Sequence, residues 1–262
     1  MKLVREHINE EFIAQEILNE KFDINFIKDK VKKAAILASM FLLMSSGRGV
    51  ENLPSKQEIQ NNPKITTLVN KENLSWEEIS KNLQDLFYSY YRDQINYDIL
   101  QDPMTLKTSS EGLEFIKNHE KLNLEGYEIG DGQITIGWGH AEPLDKSIYN
   151  VGQKITEREA EVLFRRDVQR AENGLKRLFQ LWTDQGLNIK VSQHMWDSMV
   201  SMSFNMGIGG FRGSNVVQAL KKEEYFKAAD SILKTKVKNI DSFPGLRDRR
   251  EAEKELFLKN LV

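Results

Sequence analysis

Apolar residues follow two different rhythms along this chain, and the change falls near residue 105. In the first part the spacing is helical or absent. Residues 5–21 are polar with scattered apolar positions. Lys28, Lys30, Lys32 and Lys33 then lead into the run Ala34-Ala-Ile-Leu-Ala-Ser-Met-Phe-Leu-Leu-Met44. As a helix, Ala34–Ser46 is about 20 Å long, short of the roughly 30 Å hydrocarbon core of a bilayer. A basic cluster before an apolar run has the form of a secretory signal, but this one starts too far from Met1. Three readings fit the segment: a buried helix of a small bundle, a membrane-interacting or export segment, and an assembly surface on a larger particle. Residues 51–73 carry Pro54 and Pro63 among many Asn, Gln and Lys, and read as a loop or linker. Ser75-Trp-Glu-Glu78 is a capping box, after which Ile79, Leu83, Leu86, Phe87 and Tyr90 share one helical face. The cluster Phe87-Tyr-Ser-Tyr-Tyr91 reads as packing.

The second part mixes helical and strand periods. Thr108-Ser-Ser-Glu111 has the capping-box form, and Leu113, Phe115, Ile116 and Glu120 follow at helical spacing. Tyr127-Glu-Ile-Gly-Asp-Gly-Gln-Ile-Thr-Ile136 then alternates around Asp131-Gly132. That pair between two β-prone runs predicts a hairpin with a type I′ turn, which requires φ > 0. Gly137-Trp-Gly-His140 adds a tight bend. Beyond it the pattern is helical. Thr156-x-x-Glu159 caps a long helix bearing Ala160, Leu163, Phe164, Ala171, Leu175 and Leu178 on one side. Ser192 starts another helix, through Trp196, Met199 and Met202. Glu223–Thr235 and Arg247–Leu258 are further amphipathic stretches.

Composition narrows the function classes. The chain has 262 residues, a net charge of −2, no cysteine and four histidines. Neither half is strongly basic, so binding to nucleic acid through overall charge is excluded. Without cysteine there are no disulfides, thiolate metal sites or cysteine nucleophiles. The histidines do not pair at metal-ligand spacing, and no metal or cofactor is expected. Only Gly47 and Gly49 of the sixteen glycines precede residue 111. This shift, with the polar stretch Asp102–Ser110, places a domain boundary near 105. The expected division is a helical N-terminal region, 1–105, and a second domain, 106–262.

The chemistry lies in the second part. A helix ends in Glu120, and a hairpin follows with more acids and Thr135. Hydrolysis of a glycosidic bond needs one protonated carboxyl to donate to the leaving oxygen and one ionised carboxylate opposite it. Thirty-nine acids are scattered over the chain, so this pairing alone is unspecific.

The surrounding residues are more specific. His119-Glu120, Thr135-Ile-Gly-Trp-Gly-His140 and Ile155-Thr-Glu-Arg-Glu-Ala-Glu-Val-Leu-Phe-Arg-Arg-Asp167 follow in order. After them come Phe204-Asn-Met-Gly-Ile-Gly-Gly-Phe-Arg-Gly-Ser214 and Phe243-Pro-Gly-Leu-Arg-Asp-Arg-Arg-Glu-Ala-Glu-Lys-Glu-Leu-Phe257. Together these segments resemble the phage-type lysozymes, glycoside hydrolase family 24, over residues 106–262. The resemblance implies a mainly α fold with a small β-hairpin (α+β), a two-lobed lysozyme-like domain following the helical N-terminal region. It implies a muramidase of a bacteriophage, acting on bacterial peptidoglycan by cleaving the β-1,4 bond between N-acetylmuramic acid and N-acetylglucosamine with inversion. Glu120 would be the general acid and Thr135 would hold the attacking water. Phe204, Asn205 and Ser214 would bind substrate in the cleft. His140 would pair with Asp167 and serve structure. His119 and His194 have no partner legible in the sequence and read as surface residues. The protein would act in a phage virion or in the host periplasm and cell wall, with residues 1–105 serving delivery or attachment through other virion proteins or a membrane. The alternative is a non-catalytic virion or glycan-binding protein on the same fold.

One position departs from the family. Its pattern has Asp or Cys eight residues beyond the acid's neighbour, where this chain has Ile129. Glu128 precedes it and by strand alternation faces the other way. Asp131 stands two residues later. It is expected to replace the missing acid, with Gly130 and Gly132 letting the backbone bend inward. The competing account is that Asp131 serves only the Asp-Gly turn.

Overall fold

The structure is a computed structural model that describes residues 95–235 and 244–261, with Tyr88 and Arg92 before them. The segment 34–46, the Ser75 capping box and most of the aromatic cluster at 87–91 lie outside the described residues. Asn96–Leu261 forms one compact unit. Its two ends meet where the Asn96 N–H donates to the Leu261 carbonyl at 2.8 Å.

The first helix, α1, runs Ser110–His119. Its N-cap is Ser109, whose hydroxyl accepts from the Gly112 N–H, and not Thr108 as the capping-box spacing predicts. The shift has a cause. Thr108 is already engaged, its N–H and hydroxyl both donating to Glu172 at 2.5 and 2.6 Å. Glu120 terminates the helix as its extended C-cap.

Strands β1 (Asn123–Tyr127), β2 (Gln133–Gly137) and β3 (His140–Pro143) form an antiparallel sheet in that order. Two features differ from expectation. The β1–β2 connection is not a two-residue type I′ turn. Gly130 and Gly132 carry the positive φ values, 86° and 73°, while Asp131 does not. Glu128 folds over the loop, and its Oε1 accepts from the N–H groups of Gly130 (2.7 Å) and Gly132 (3.2 Å). A carboxylate cap flanked by permissive glycines thus replaces the tight turn. The second difference is β3 itself. Gly137 (φ 67°) and Gly139 (φ 77°) bend the chain so tightly that Ile136 pairs with His140. Ile134 and Ile136 share the buried face of β2. Ile136 packs with Ile155 and with Ala160 and Leu163 of the next helix.

That helix, α2, spans Glu157–Thr183 and has the expected capping box between Thr156 and Glu159. At 1.5 Å per residue it is about 40 Å long. Its first turns carry the sheet, and its later turns contribute Leu175, Leu178, Phe179 and Trp182 to a helical core. Helix α3, Gln193–Arg212, starts at Ser192 as the sequence implies. It breaks internally at Gly207 (φ 74°, ψ 154°). Gly174 of α2 admits Ile208 there: a Cβ at Gly174 would lie 2.9 Å from the Ile208 side chain. Helices α4 (Asn215–Leu220), α5 (Tyr225–Ile232) and α6 (Pro244–Leu258) complete the unit. Helix α5 starts two residues later than its amphipathic pattern because Glu223 sits at φ 56° before it. The largest buried side chains include Trp182, Trp196, Phe211 and Phe257. Among the described residues no helix is long and apolar enough to cross a membrane.

Candidate active site

Glu120 leaves the end of α1 with its carboxyl fixed from α6. Its Oε1 accepts from Arg249 Nη1 at 2.6 Å. A Cβ at Gly139 would lie 3.4 Å from Oε2, so the absent side chain leaves this oxygen room. Arg249 is held in turn. Its Nε donates to Glu253 Oε1 at 3.1 Å, and its Nη2 reaches the backbone carbonyl and hydroxyl of Ser201 on α3 at 3.4 Å. Ser201 Oγ donates to the same Glu253 oxygen at 2.7 Å. Arg250 pairs with the other oxygen of Glu253 and donates through Nη2 to Asn205 Oδ1 at 2.8 Å. Glu253 and Arg250 are fully buried. Charge alternates along Glu120–Arg249–Glu253–Arg250, so each buried charge faces an opposite one. Removing Glu253 would leave two buried arginines short of an anion, a loss of about 3–5 kcal/mol.

Thr135 occupies the middle of β2, half-buried, paired with Ala141 on β3 and Tyr127 on β1. By alternation it faces away from the buried side chains of Ile134 and Ile136. Asp131 lies exposed in the β1–β2 loop, with Oδ1 accepting from the Gln133 N–H at 3.1 Å. Among the described residues no hydrogen bond or ion pair joins it to Glu120. Ile129 is 74% exposed on the same loop.

The residues expected to bind substrate differ in their surroundings. Phe204 is half-buried, its ring 5.7 Å from that of Phe164 and tilted to it. Phe164 stands equally far from Trp138, giving a run of three rings from the sheet to α3. Lys117 places its ammonium 4.4 Å from the Trp138 ring centre and 5.1 Å from that of Phe164, and pairs with Glu161. Asn205 belongs to the Arg250 network. Ser214 is buried at the start of α4, and its hydroxyl has no hydrogen-bond partner among the described residues.

His140 is 2% exposed and sits in a separate ionic cluster. Its Nδ1 lies 2.7 Å from Asp167 Oδ2. Nε2 lies 3.1 Å from Glu142 Oε1 and 3.0 Å from Arg166 Nη2. Burial pushes the His140 pKa down, but its bonds to Asp167 and Glu142 outweigh this and hold it above the usual imidazole range. The pairing with Asp167 matches the sequence reading; Glu142 does not appear in it. His119 and His194 also depart from expectation, since neither is a free surface group. His119 bonds the Phe115 carbonyl through Nδ1 at 2.8 Å, and His194 lies 3.4 Å from Glu111.

The residues missed by the sequence reading are Arg249, Glu253 and Arg250. A signal for them exists: Glu253 follows Arg249 by four residues and Arg250 by three, the spacings at which helical side chains meet. Ordinary surface helices carry the same spacing, and burial is what distinguishes this one.

The family model for phage lysozyme matches residues 117–253, which include Glu120, Thr135, His140, Asp167 and the Arg249 network. The chain belongs to the phage lysozyme family. The lysozyme region is 31% identical over 153 residues to an endolysin of Salmonella phage P22, covering 58% of this chain and 99% of the relative. An endolysin of Acyrthosiphon pisum secondary endosymbiont phage 1 is 30% identical over 153 residues, covering 57% and 96%. An endolysin of Bacillus phage B103 is 33% identical over 155 residues, but this chain spans only 54% of its length. Among solved structures, a P22 lysozyme mutant aligns at 30% identity and TM-score 0.48 over 59% of this chain and all of that one. The muramidase domain of SpmX from Asticaccaulis excentricus aligns at 27% identity and TM-score 0.49, covering 58% and 98%.

Proposed function

We propose that this phage lysozyme is a peptidoglycan hydrolase of a bacteriophage, a muramidase that cleaves the β-1,4 bond between N-acetylmuramic acid and N-acetylglucosamine. The observation that carries this reading is Glu120, held at the C-cap of α1 by Arg249 with one oxygen beside Gly139. A rigidly placed carboxyl whose second oxygen is given room by Gly139 suits a general acid. Glu120 protonates the leaving glycosidic oxygen as the bond breaks and the sugar gains oxocarbenium character. Thr135 orders a water on the opposite face. That water attacks the anomeric carbon and inverts it, a geometry that in inverting enzymes separates the two carboxyl groups by about 6.5–9.5 Å. Asp131 takes the proton from the water in place of the acid absent at Ile129. Its Oδ1 is spent on the Gln133 N–H, which makes Oδ2 the working atom. Phe204, Asn205 and Ser214 line the sugar cleft, Asn205 in the orientation that Arg250 imposes. Residues 1–105 deliver or attach the enzyme, through other virion proteins or a membrane, at the virion or the host cell wall.

Muropeptide analysis of digested peptidoglycan tests the reading. The wild type releases products ending in reducing N-acetylmuramic acid, and Glu120→Gln releases none. Ile129, an apolar residue at the position of the second acid, favours one rival: a non-catalytic glycan-binding protein. That rival predicts retention of the wild type on walls with no product at any enzyme concentration.

A further inference from the structure

Helix α1 carries the proposed acid at one end and has little apolar anchorage. Its buried residues are Gly112 and Ile116 alone. Polar contacts therefore fix where it lies, and those at its start are unusually complete. Asp197 of α3 is fully buried. Its Oδ1 accepts from the Ser109 N–H at 2.9 Å and its Oδ2 from the Ser109 hydroxyl at 2.6 Å. Ser109 Oγ then accepts from the Gly112 N–H at 3.0 Å, so the carboxylate is bonded through the N-cap into the helix. Gln193 donates to Asp197 Oδ1 at 3.0 Å and to the Lys107 carbonyl at 2.9 Å through the same amide nitrogen. A Cβ at Gly112 would meet Asp197 atoms at 2.6–2.8 Å, so only glycine lets the carboxylate in. One residue earlier, Glu172 of α2 takes both donors of Thr108. Capping a helix needs only Ser109. Two buried carboxylates from two helices do more than cap: they fix the start of α1 relative to α2 and α3.

The far end of α1 is referred to the same helix. Ser201 lies four residues after Asp197, on the same face of α3. It bonds Glu253 and Arg249, and Arg249 holds Glu120. Helix α3 thus grips α1 at its N-cap directly and at its C-cap through Arg249.

We propose that Asp197, admitted by Gly112 and bonded to Ser109, is a positioning residue for catalysis that sets the tilt of α1 and so the placement of the Glu120 carboxyl. The proposal rests on the assignment of Glu120 as proton donor. Helix α1 is about 15 Å long, so a change of about 4° in the tilt set at its start carries its Glu120 end by about 1 Å. Displacements of about 1 Å at a reacting group cost up to about a hundredfold in rate.

The test measures kcat and KM on soluble glycan fragments of the wall for the full chain, well below each variant's Tm. Asp197→Ala is expected to lower kcat at least about tenfold, with KM within about twofold, because the loss lies in the placement of the reacting group and not in substrate binding. Asp197→Asn keeps an acceptor for the Ser109 N–H and lets its amide donate to Ser109 Oγ, and is expected to restore kcat to within about threefold of wild type. Gly112→Ala, which expels the carboxylate without altering it, is expected to reproduce the Asp197→Ala loss. Wild-type kcat in folded Asp197→Ala overturns the proposal, as does an Asp197→Asn as slow as Asp197→Ala. Should Asp197→Ala not fold, wild-type kcat in Gly112→Ala overturns it. Glu120→Gln is the control. If it is inactive while the Asp197 and Gly112 variants keep full kcat, the positioning role falls and the acid assignment stands. If Glu120→Gln is active, the acid assignment falls and takes the proposal with it.

Discussion

Replacing Asp167 by Asn removes one carboxylate from the His140 cluster and keeps its shape. His140 is nearly inaccessible, and the Asp167 side chain is 12% exposed. Its imidazole faces Asp167 and Glu142, with Arg166 against Nε2 and the Tyr149 ring edge-on at 6.1 Å. Because the folded pKa of His140 is raised, the cluster's stabilisation is complete below the unfolded value near 6.5 and is lost as pH rises through the folded value. At pH 5 the variant loses a charge-assisted hydrogen bond worth about 1.5–3 kcal/mol, and Glu142 still neutralises the imidazolium. The Asp167–Arg170 pair adds little, since Arg170 is 66% exposed. In a domain of this size each kcal/mol shifts Tm by about 2–4 °C, so the loss at pH 5 is about 3–12 °C. At pH 8 a neutral hydrogen bond to Asn remains, and the gap shrinks to about 1–6 °C. Thermal melts of wild type and Asp167→Asn between pH 5 and 8 measure this, with wall lysis by the folded proteins as companion assay. A Tm gap that stays constant or widens with pH refutes the linkage argument. Collapse of lysis with an unchanged Tm would instead make His140 a catalytic group.

Three further outcomes are expected. Asp131→Asn, which keeps the loop's backbone bond, lowers activity at least about a hundredfold at unchanged Tm, since a positioned base contributes about 10²–10⁴-fold; activity within a few-fold of wild type would leave Thr135 or Glu128 to order the water. Arg249→Met takes one of two arginines from the buried Glu253, which keeps Arg250 and the Ser201 hydroxyl, and lowers stability by about 1.5–3 kcal/mol, measured by urea denaturation, besides releasing Glu120. A 106–262 fragment folds alone and clears wall suspensions, as checked by circular dichroism and turbidity; an unfolded fragment refutes the boundary near 105.

The legible parts of this sequence were those in which local chemistry decides the outcome. Thr156 and Glu159 satisfy each other's amides whatever lies around them, so the start of α2 can be read from four letters. The same form at Thr108–Glu111 misleads, because Glu172, 64 residues away, claims Thr108 first. The hairpin at Asp131-Gly132 is visible in its glycines, but its loop geometry depends on Glu128 turning back over two amides. Strand β3 was hidden because His140–Pro143 is too short and polar to show a period, and only the bends at Gly137 and Gly139 bring it to β2. In the site, Glu120 and Thr135 stand out by family spacing. Arg249 does not, because burial of a charged pair is a property of the packed molecule.

The bond between Glu120 and Arg249 spans 129 residues of sequence. At about 5–20 residues per second a ribosome takes roughly 6–26 s to travel from one to the other. Through that interval the emerging chain has its acid without the cation that aims it. With Glu120 as the proton donor, nascent chains and copies clipped before Arg249 are unarmed. On that assignment, a cell producing this protein meets wall-cutting activity only from molecules translated past Arg249, into α6.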